Sequence, residues 1–145
     1  MKLPAPEPGL VIGYSYLWAR EHGAGRDEGV KDRPCAIIAA RQMIDSGEIV
    51  TVVPITHTPP RDPADAVEIP ALLKSHLGLD EHRSWVIITE TNDFLWPGPD
   101  LRPIQGRSPA RIDYGMLPPR FFAHLRDQIL EAHHRRKLAV VPRSE

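Results

Sequence analysis

Two short stretches set chemically useful residues at the rims of strand-forming runs. KDRPCAII, residues 31–38, places Lys31 and Arg33 before an aliphatic segment, and VTVVPITHT, residues 50–58, ends a similar segment on Thr56 and His57. A guanidinium grips phosphate through paired hydrogen bonds, an ammonium adds a point charge, a hydroxyl supplies a further donor, and an imidazole moves protons near neutral pH. Together such groups suit phosphodiester chemistry on RNA, where the substrate's own 2′-hydroxyl attacks and the protein supplies positioning, charge stabilisation and proton transfer. A plainer alternative stands beside this one. Arg33 pairs with Asp32 or Glu28 on a surface loop, and Thr56 and His57 end a strand with side-chain-to-backbone hydrogen bonds.

The neighbouring elements decide whether these four residues meet. Pro34 has no N–H to give a ladder, so it belongs at the opening of a strand over residues 35–40. The turn signal Asp45-Ser46-Gly47 joins that strand to the next, residues 48–55, as an antiparallel hairpin. In a hairpin the start of the first strand lies beside the end of the second, which predicts that Lys31, Arg33, Thr56 and His57 are neighbours.

Elsewhere, β-branched and aromatic content predicts strands over 10–18, 66–69 and 84–90, with a Gly-rich charged loop at 21–32. PALLKSHLG, residues 70–78, reads as a short helix opened by Pro70 and stopped by Gly78. Residues 91–115 hold four of the sixteen prolines and no clean period, so they read as a long loop with at most a short strand near 101–104. Over 118–137, Phe122, Leu125, Ile129 and Ala132 fall on one helix face, and the basic HHRRK run sits where it complements the helix dipole. The expectation is a single domain over 1–145 with a loose N-terminus at 1–8, α+β but mostly β, a small antiparallel barrel.

Composition narrows the function classes. A chain of 145 residues, 41% hydrophobic and 26% charged, has the make-up of a globular domain, and no stretch nears the roughly 20 apolar residues of a membrane span. MKLPAPEPGL has no apolar leader core, so the expectation is a cytoplasmic protein. The single cysteine, Cys35, allows no internal disulfide and reads as a small buried hydrophobe. Net charge is −1, yet residues 101–126 carry Arg102, Arg107, Arg111, Arg120 and Arg126 against Asp113 alone, either a solvated basic face or a phosphate-binding one.

The seven histidines are scattered, and His133 and His134 lie about 100° apart around a helix, so neither a metal nor another cofactor is expected. Phosphate loop, nucleophile elbow and dinucleotide fingerprint are all missing, and Gly23-x-Gly25 opens no predicted helix. An exposed Trp96 would stack a base, worth about 1–3 kcal/mol, or else fold down over the end of the barrel.

The order of a Gly9-led first strand, a loop with Gly23 and Gly25, Arg33-Pro34 opening a strand of aliphatics, and Pro54-Ile55-Thr56 ending the next resembles the MazF/PemK/Kid family of toxin endoribonucleases. The likeness spans residues 9–90, and EIP, LGLD and SWVIITE resemble the PemK-like branch. It implies an SH3-like barrel with a C-terminal helix, usually a homodimer, from a type II toxin–antitoxin module. The implied activity is metal-free cleavage of single-stranded RNA to a 2′,3′-cyclic phosphate and a 5′-hydroxyl.

By position, Arg33 corresponds to the family's catalytic arginine and Thr56 to its phosphate-stabilising threonine, with His57 as a further catalytic candidate. Lys31, Gly25, Glu90, Asn92, Trp96 and Arg102 stand as the RNA contacts, and a cognate antitoxin peptide would fold across the groove. Three features differ from the family pattern. Leu10 replaces the usual acid after the first glycine, and ETNDF lacks an arginine for which Arg102 substitutes only if the long loop folds back. The insertion WPGPDLRP, an RNA platform or a lid, has no counterpart in the short toxins. From a different class, the alternative is a non-catalytic SH3-like module that binds a protein, as the gyrase poison CcdB does, or an orphan regulatory relative whose groove the 91–115 loop closes.

Overall fold

Three strands set the frame: β1 (Leu10–Tyr14), β2 (Arg33–Met43) and β3 (Gly47–Thr56), joined in antiparallel ladders. Successive side chains alternate across a strand, and here both faces are covered. Ile12, Tyr14, Cys35, Ile37, Val50 and Val52 pack with Phe94 on one side, while Val11, Ala36, Val53 and Ile55 pack with Leu77, Leu125 and Ile129 on the other. Double burial is why these strands read as near-continuous apolar runs. The computed structural model describes residues 2–23, 25, 31–45, 47–135 and 138–143. Glu28, Ser46 of the turn and the last two positions of the predicted helix, 136 and 137, lie outside the described residues.

The remaining strands are β4 (Ala66–Glu68), β5 (Trp85–Ile87), β6 (Glu90–Leu95), β7 (Asp113–Met116) and β8 (Ala139–Pro142). The sheet runs β4-β5-β3-β2-β1-β7, with β6 on β3 and β8 on β6. Its pairings are antiparallel except the last, which is parallel. β3 serves two neighbours besides β2, taking β6 along Ile49–Val52 and β5 at Ile55–Thr56. Among the described residues β4 and β7 end the path unpaired with each other, so the ladder stays open. Among the described residues three α-helices, α1 (Ala19–Gly23), α2 (Ala71–Leu77) and α3 (Pro119–His134), complete an α+β, mostly β architecture. Leu125, Ile129 and Ala132 of α3 are buried with Phe122 partly so, on the face that the sequence period predicts. Among the described residues, no helix is long and apolar enough to cross a membrane.

Several expectations are corrected. The first strand stops at Tyr14 rather than residue 18, because the Leu17 N–H and C=O are taken by the Asn92 side chain and the Ser15 N–H by Asp100 O. The strand expected over 84–90 is two, β5 and β6, which reach β3 at different points along its length. The loop expected over 91–115 shrinks to 96–112, since β6 and β7 occupy its ends. Polar side chains disguised β6: Asp93 accepts from Thr51 Oγ1 at 2.6 Å, and Asn92 turns inward. The strand near 101–104 reduces to one bridge, Leu101 to Tyr14. Helix α1 occupies the first positions of the predicted 21–32 loop, and β8 follows α3 unforeseen.

Candidate functional site

The β2–β3 ladder pairs Cys35 with Pro54 and Ala36 with Val53, so the same register carried two residues outward sets Arg33 opposite Thr56. Both line a cleft of about 570 Å³, together with Lys31, His57 and Arg102. Arg33 is half-buried, and its guanidinium lies 5.0 Å from the Trp18 ring centre, an arginine–indole stack. Among the described residues its buried Nε has no hydrogen-bond partner. Burial lowers its pKa below the ordinary arginine value and Arg20 adds to this, with Glu21 among the groups opposing. Among the described residues no carboxylate pairs with it, for Asp32 pairs instead with Arg102 Nε at 3.4 Å. Thr56 Oγ1 accepts from the Thr58 N–H at 3.1 Å, which leaves the hydroxyl proton to donate into the cleft.

His57 is held by a residue that sequence reasoning missed. Its Nε2 lies 2.9–3.0 Å from the two oxygens of Asp80, and Asp80 also accepts from Lys74 Nζ at 3.2 Å and the His82 N–H at 3.1 Å. Burial pushes the Asp80 carboxyl up, but the Lys74 bond, His57 and the His82 N–H outweigh it and hold it below the ordinary aspartate range. An ionised carboxylate only accepts, so Nε2 carries the proton and Nδ1 is the basic nitrogen of the ring. Asp80 stands just beyond the left-handed cap Gly78 (φ 70°), which turns the chain out of α2 and into the cleft.

Residues 96–112 form the opposite wall, contributing Arg102, Ile104 and Gln105. The Arg102 N–H donates to Gly13 O at 2.9 Å, and a Cβ on Gly13 would clash with Arg102 O, so only glycine lets this loop approach β1. Behind it Arg143, buried, donates to Ser15 O at 2.8 Å and Asn92 Oδ1 at 3.0 Å and pairs with Asp100 at 3.1 Å. Arg102 itself donates to Pro99 O at 2.7 Å and Leu101 O at 3.1 Å. The loop thus folds back far enough for Arg102 to line the same cleft as Arg33.

Lys31, Arg33, Thr56, His57 and Arg102 therefore share one cleft. The other expected contacts do not join it. Asn92 is fully buried, holding Leu17 and Arg143, so it works inside the fold and no RNA reaches it. Glu90 accepts from the Ala19 N–H at 2.9 Å and the Tyr16 hydroxyl at 3.1 Å, with burial raising its pKa. Trp96 packs on Phe94 with ring centres 6.0 Å apart, against the second apolar cluster. Gly25 is exposed at φ 86° and does not line the cleft.

Asp80 and Trp18 are the site residues that sequence reasoning passed over. LGLD offered a hint of the first, an acid just past a helix-ending glycine; for the second there was only an aromatic at the end of a strand-like run. Among the described residues, no three His, Cys, Asp or Glu side chains cluster to hold a metal ion. Compared with known proteins, the chain matches no family model and no curated protein.

Proposed function

We propose that the chain is a metal-independent endoribonuclease toxin of the MazF/PemK kind, built on an SH3-like small barrel and cleaving single-stranded RNA. One juxtaposition carries this: a half-buried arginine with an unpartnered Nε directly across a hairpin from a threonine with an unspent hydroxyl proton. Arg33 grips the non-bridging phosphate oxygens and, with its lowered pKa, is the better placed to exchange a proton. Thr56 donates to the oxygen on which charge grows as phosphorus becomes five-coordinate. The 2′-hydroxyl loses its proton to His57 Nδ1 and attacks phosphorus. The P–O5′ bond then breaks as the Arg33 guanidinium, its pKa lowered by burial, gives a proton to the 5′-oxygen; a 2′,3′-cyclic phosphate remains, and the proton held on His57 returns to Arg33 through solvent. Lys31 and Arg102 hold flanking phosphates, and Arg102, Ile104 and Gln105 wall the cleft rather than fill it. The reading carries with it a homodimer and an antitoxin peptide folded across the groove.

The test is cleavage of a single-stranded RNA in EDTA by wild type and by Arg33→Ala. Loss of one preorganised phosphate donor costs at least about 10²-fold, so the variant falls to background while its melting temperature stays within a few degrees. Unchanged cleavage by the variant sinks the assignment. Wild type that spares RNA but inhibits gyrase moves it to the protein-binding class.

A further inference from the structure

A second cavity, about 350 Å³, adjoins the cleft, and the two share Lys31, Arg33 and Thr56. The phosphate-gripping residues are therefore the divide between two spaces. A phosphodiester held at a divide has one nucleoside on each side of it, and each side here has room for one. The two spaces differ in chemistry. On the smaller side stand Trp18, Arg20, Thr58, Pro59, Pro60 and Ile87: one indole, one guanidinium, apolar rings and a hydroxyl. The larger side presents Gln105, Asp80, Ser84 and Tyr114, a mixture of donors and acceptors able to read a base edge.

Trp18 is braced for a fixed role. Its backbone N–H donates to Glu21 Oε1 at 3.0 Å, its ring meets Tyr16 edge-on at 5.2 Å, and the Arg33 and Arg20 guanidinium groups lie 5.0 and 5.2 Å from its centre. Arg20 is exposed, so it can swing aside or extend the stack. Indole and guanidinium planes stack any base, because every base has a π-face.

Resting on the ribonuclease reading above, we propose that the Trp18–Arg20 cavity is a base-tolerant stacking subsite for one nucleoside flanking the gripped phosphate. Base discrimination then belongs to the opposite side, at Gln105 and its neighbours. The contribution is to binding and register along the strand, with no part in proton transfer.

The probe is 2′-O-methyl RNA, which lacks the attacking hydroxyl, as a set of labelled oligonucleotides carrying each base in turn around one position, read by fluorescence anisotropy. Trp18→Ala weakens binding about tenfold for every base alike, Trp18→Phe keeps most of the affinity, and Arg20→Ala lies between them. Gln105→Ala changes the order of base preference. Wild-type tryptophan fluorescence is quenched by the oligonucleotide, and Trp18→Phe, which retains Trp85 and Trp96, loses that quenching. Should Trp18→Ala fail to fold, the quenching comparison decides alone. Unchanged affinity in Trp18→Ala beside a loss in Arg33→Ala overturns the subsite and leaves the ribonuclease reading standing. A loss confined to one base overturns the base tolerance. Wild type that binds none of the oligonucleotides overturns both.

Discussion

Arg33 and Thr56 reach the cleft on the ends of two strands zipped together in one hairpin, whereas Arg102 reaches it on a loop pinned from far away in the chain. The first wall is local. Its geometry follows from backbone pairing, and any sequence that keeps the ladder keeps the two residues opposed. The second wall depends on two remote supports: Gly13 on β1, and Arg143 after β8, which holds the loop through Asp100. One wall is thus as robust as the sheet, and the other is only as robust as a buried ion pair and the absence of a single methyl group.

The largest expected effect breaks the remote wall. Arg143→Ala leaves Asp100 buried without its cation and Asn92 short of a donor, a loss of about 3–5 kcal/mol from a domain whose whole stability is about 5–15. Urea unfolding measures the loss. Native-state hydrogen exchange then separates the walls: the Arg102 and Ser15 amides exchange faster at low denaturant, while the β2–β3 ladder stays protected until global unfolding. Equal acceleration in both would mean that the two walls are one cooperative unit.

Next in size is Gly13→Ala. The added Cβ meets Arg102 O, a backbone atom with no side-chain freedom to retreat, so the loop shifts at a cost of about 1–3 kcal/mol. Arg102 is displaced from the cleft wall, and on the proposed ribonuclease reading cleavage falls mainly through a raised KM, because the Arg33–Thr56 pair is undisturbed. A drop in kcat alone would show that Arg102 acts on the reacting phosphate.

The smallest effect lies outside both walls, at Glu90 on β6. Burial raises the Glu90 pKa, so the fold favours its protonated form and stability is lost as pH rises through the folded value. Glu90→Gln keeps an oxygen for the Ala19 N–H and the Tyr16 hydroxyl without the charge. The variant therefore melts slightly higher than wild type at pH 7, and the difference vanishes below about pH 4. On the proposed ribonuclease reading its cleavage rate equals wild type's, since Glu90 faces Tyr16 and Ala19 rather than the cleft. Impaired cleavage would return Glu90 to the RNA contacts.

The same division governs what could be read in advance. The opposition of Arg33 and Thr56 was legible because a hairpin converts sequence separation into distance by a simple rule. The buried face of α3 was legible because Phe122, Leu125, Ile129 and Ala132 repeat with the helical period. Asn92 misled because polar residues in β6 look like loop, and nothing local says that one amide satisfies the backbone of Leu17, 75 positions earlier. Asp80 escaped because its link to His57 spans 23 positions and depends on how α2 ends. Arg143 holds Asp100 across a gap that no periodicity reports.

Cys35 gives the first wall a property of another kind. Its sulfur is fully buried, 3.8 Å from the Arg33 carbonyl, and burial pushes the thiol up beyond what Arg33 and Arg143 pull down. A thiol so hidden and so reluctant to ionise is silent toward oxidants and alkylating reagents while the hairpin is closed. The only sulfhydryl in the chain therefore acts as a latch indicator, reacting solely in molecules whose first wall has come apart.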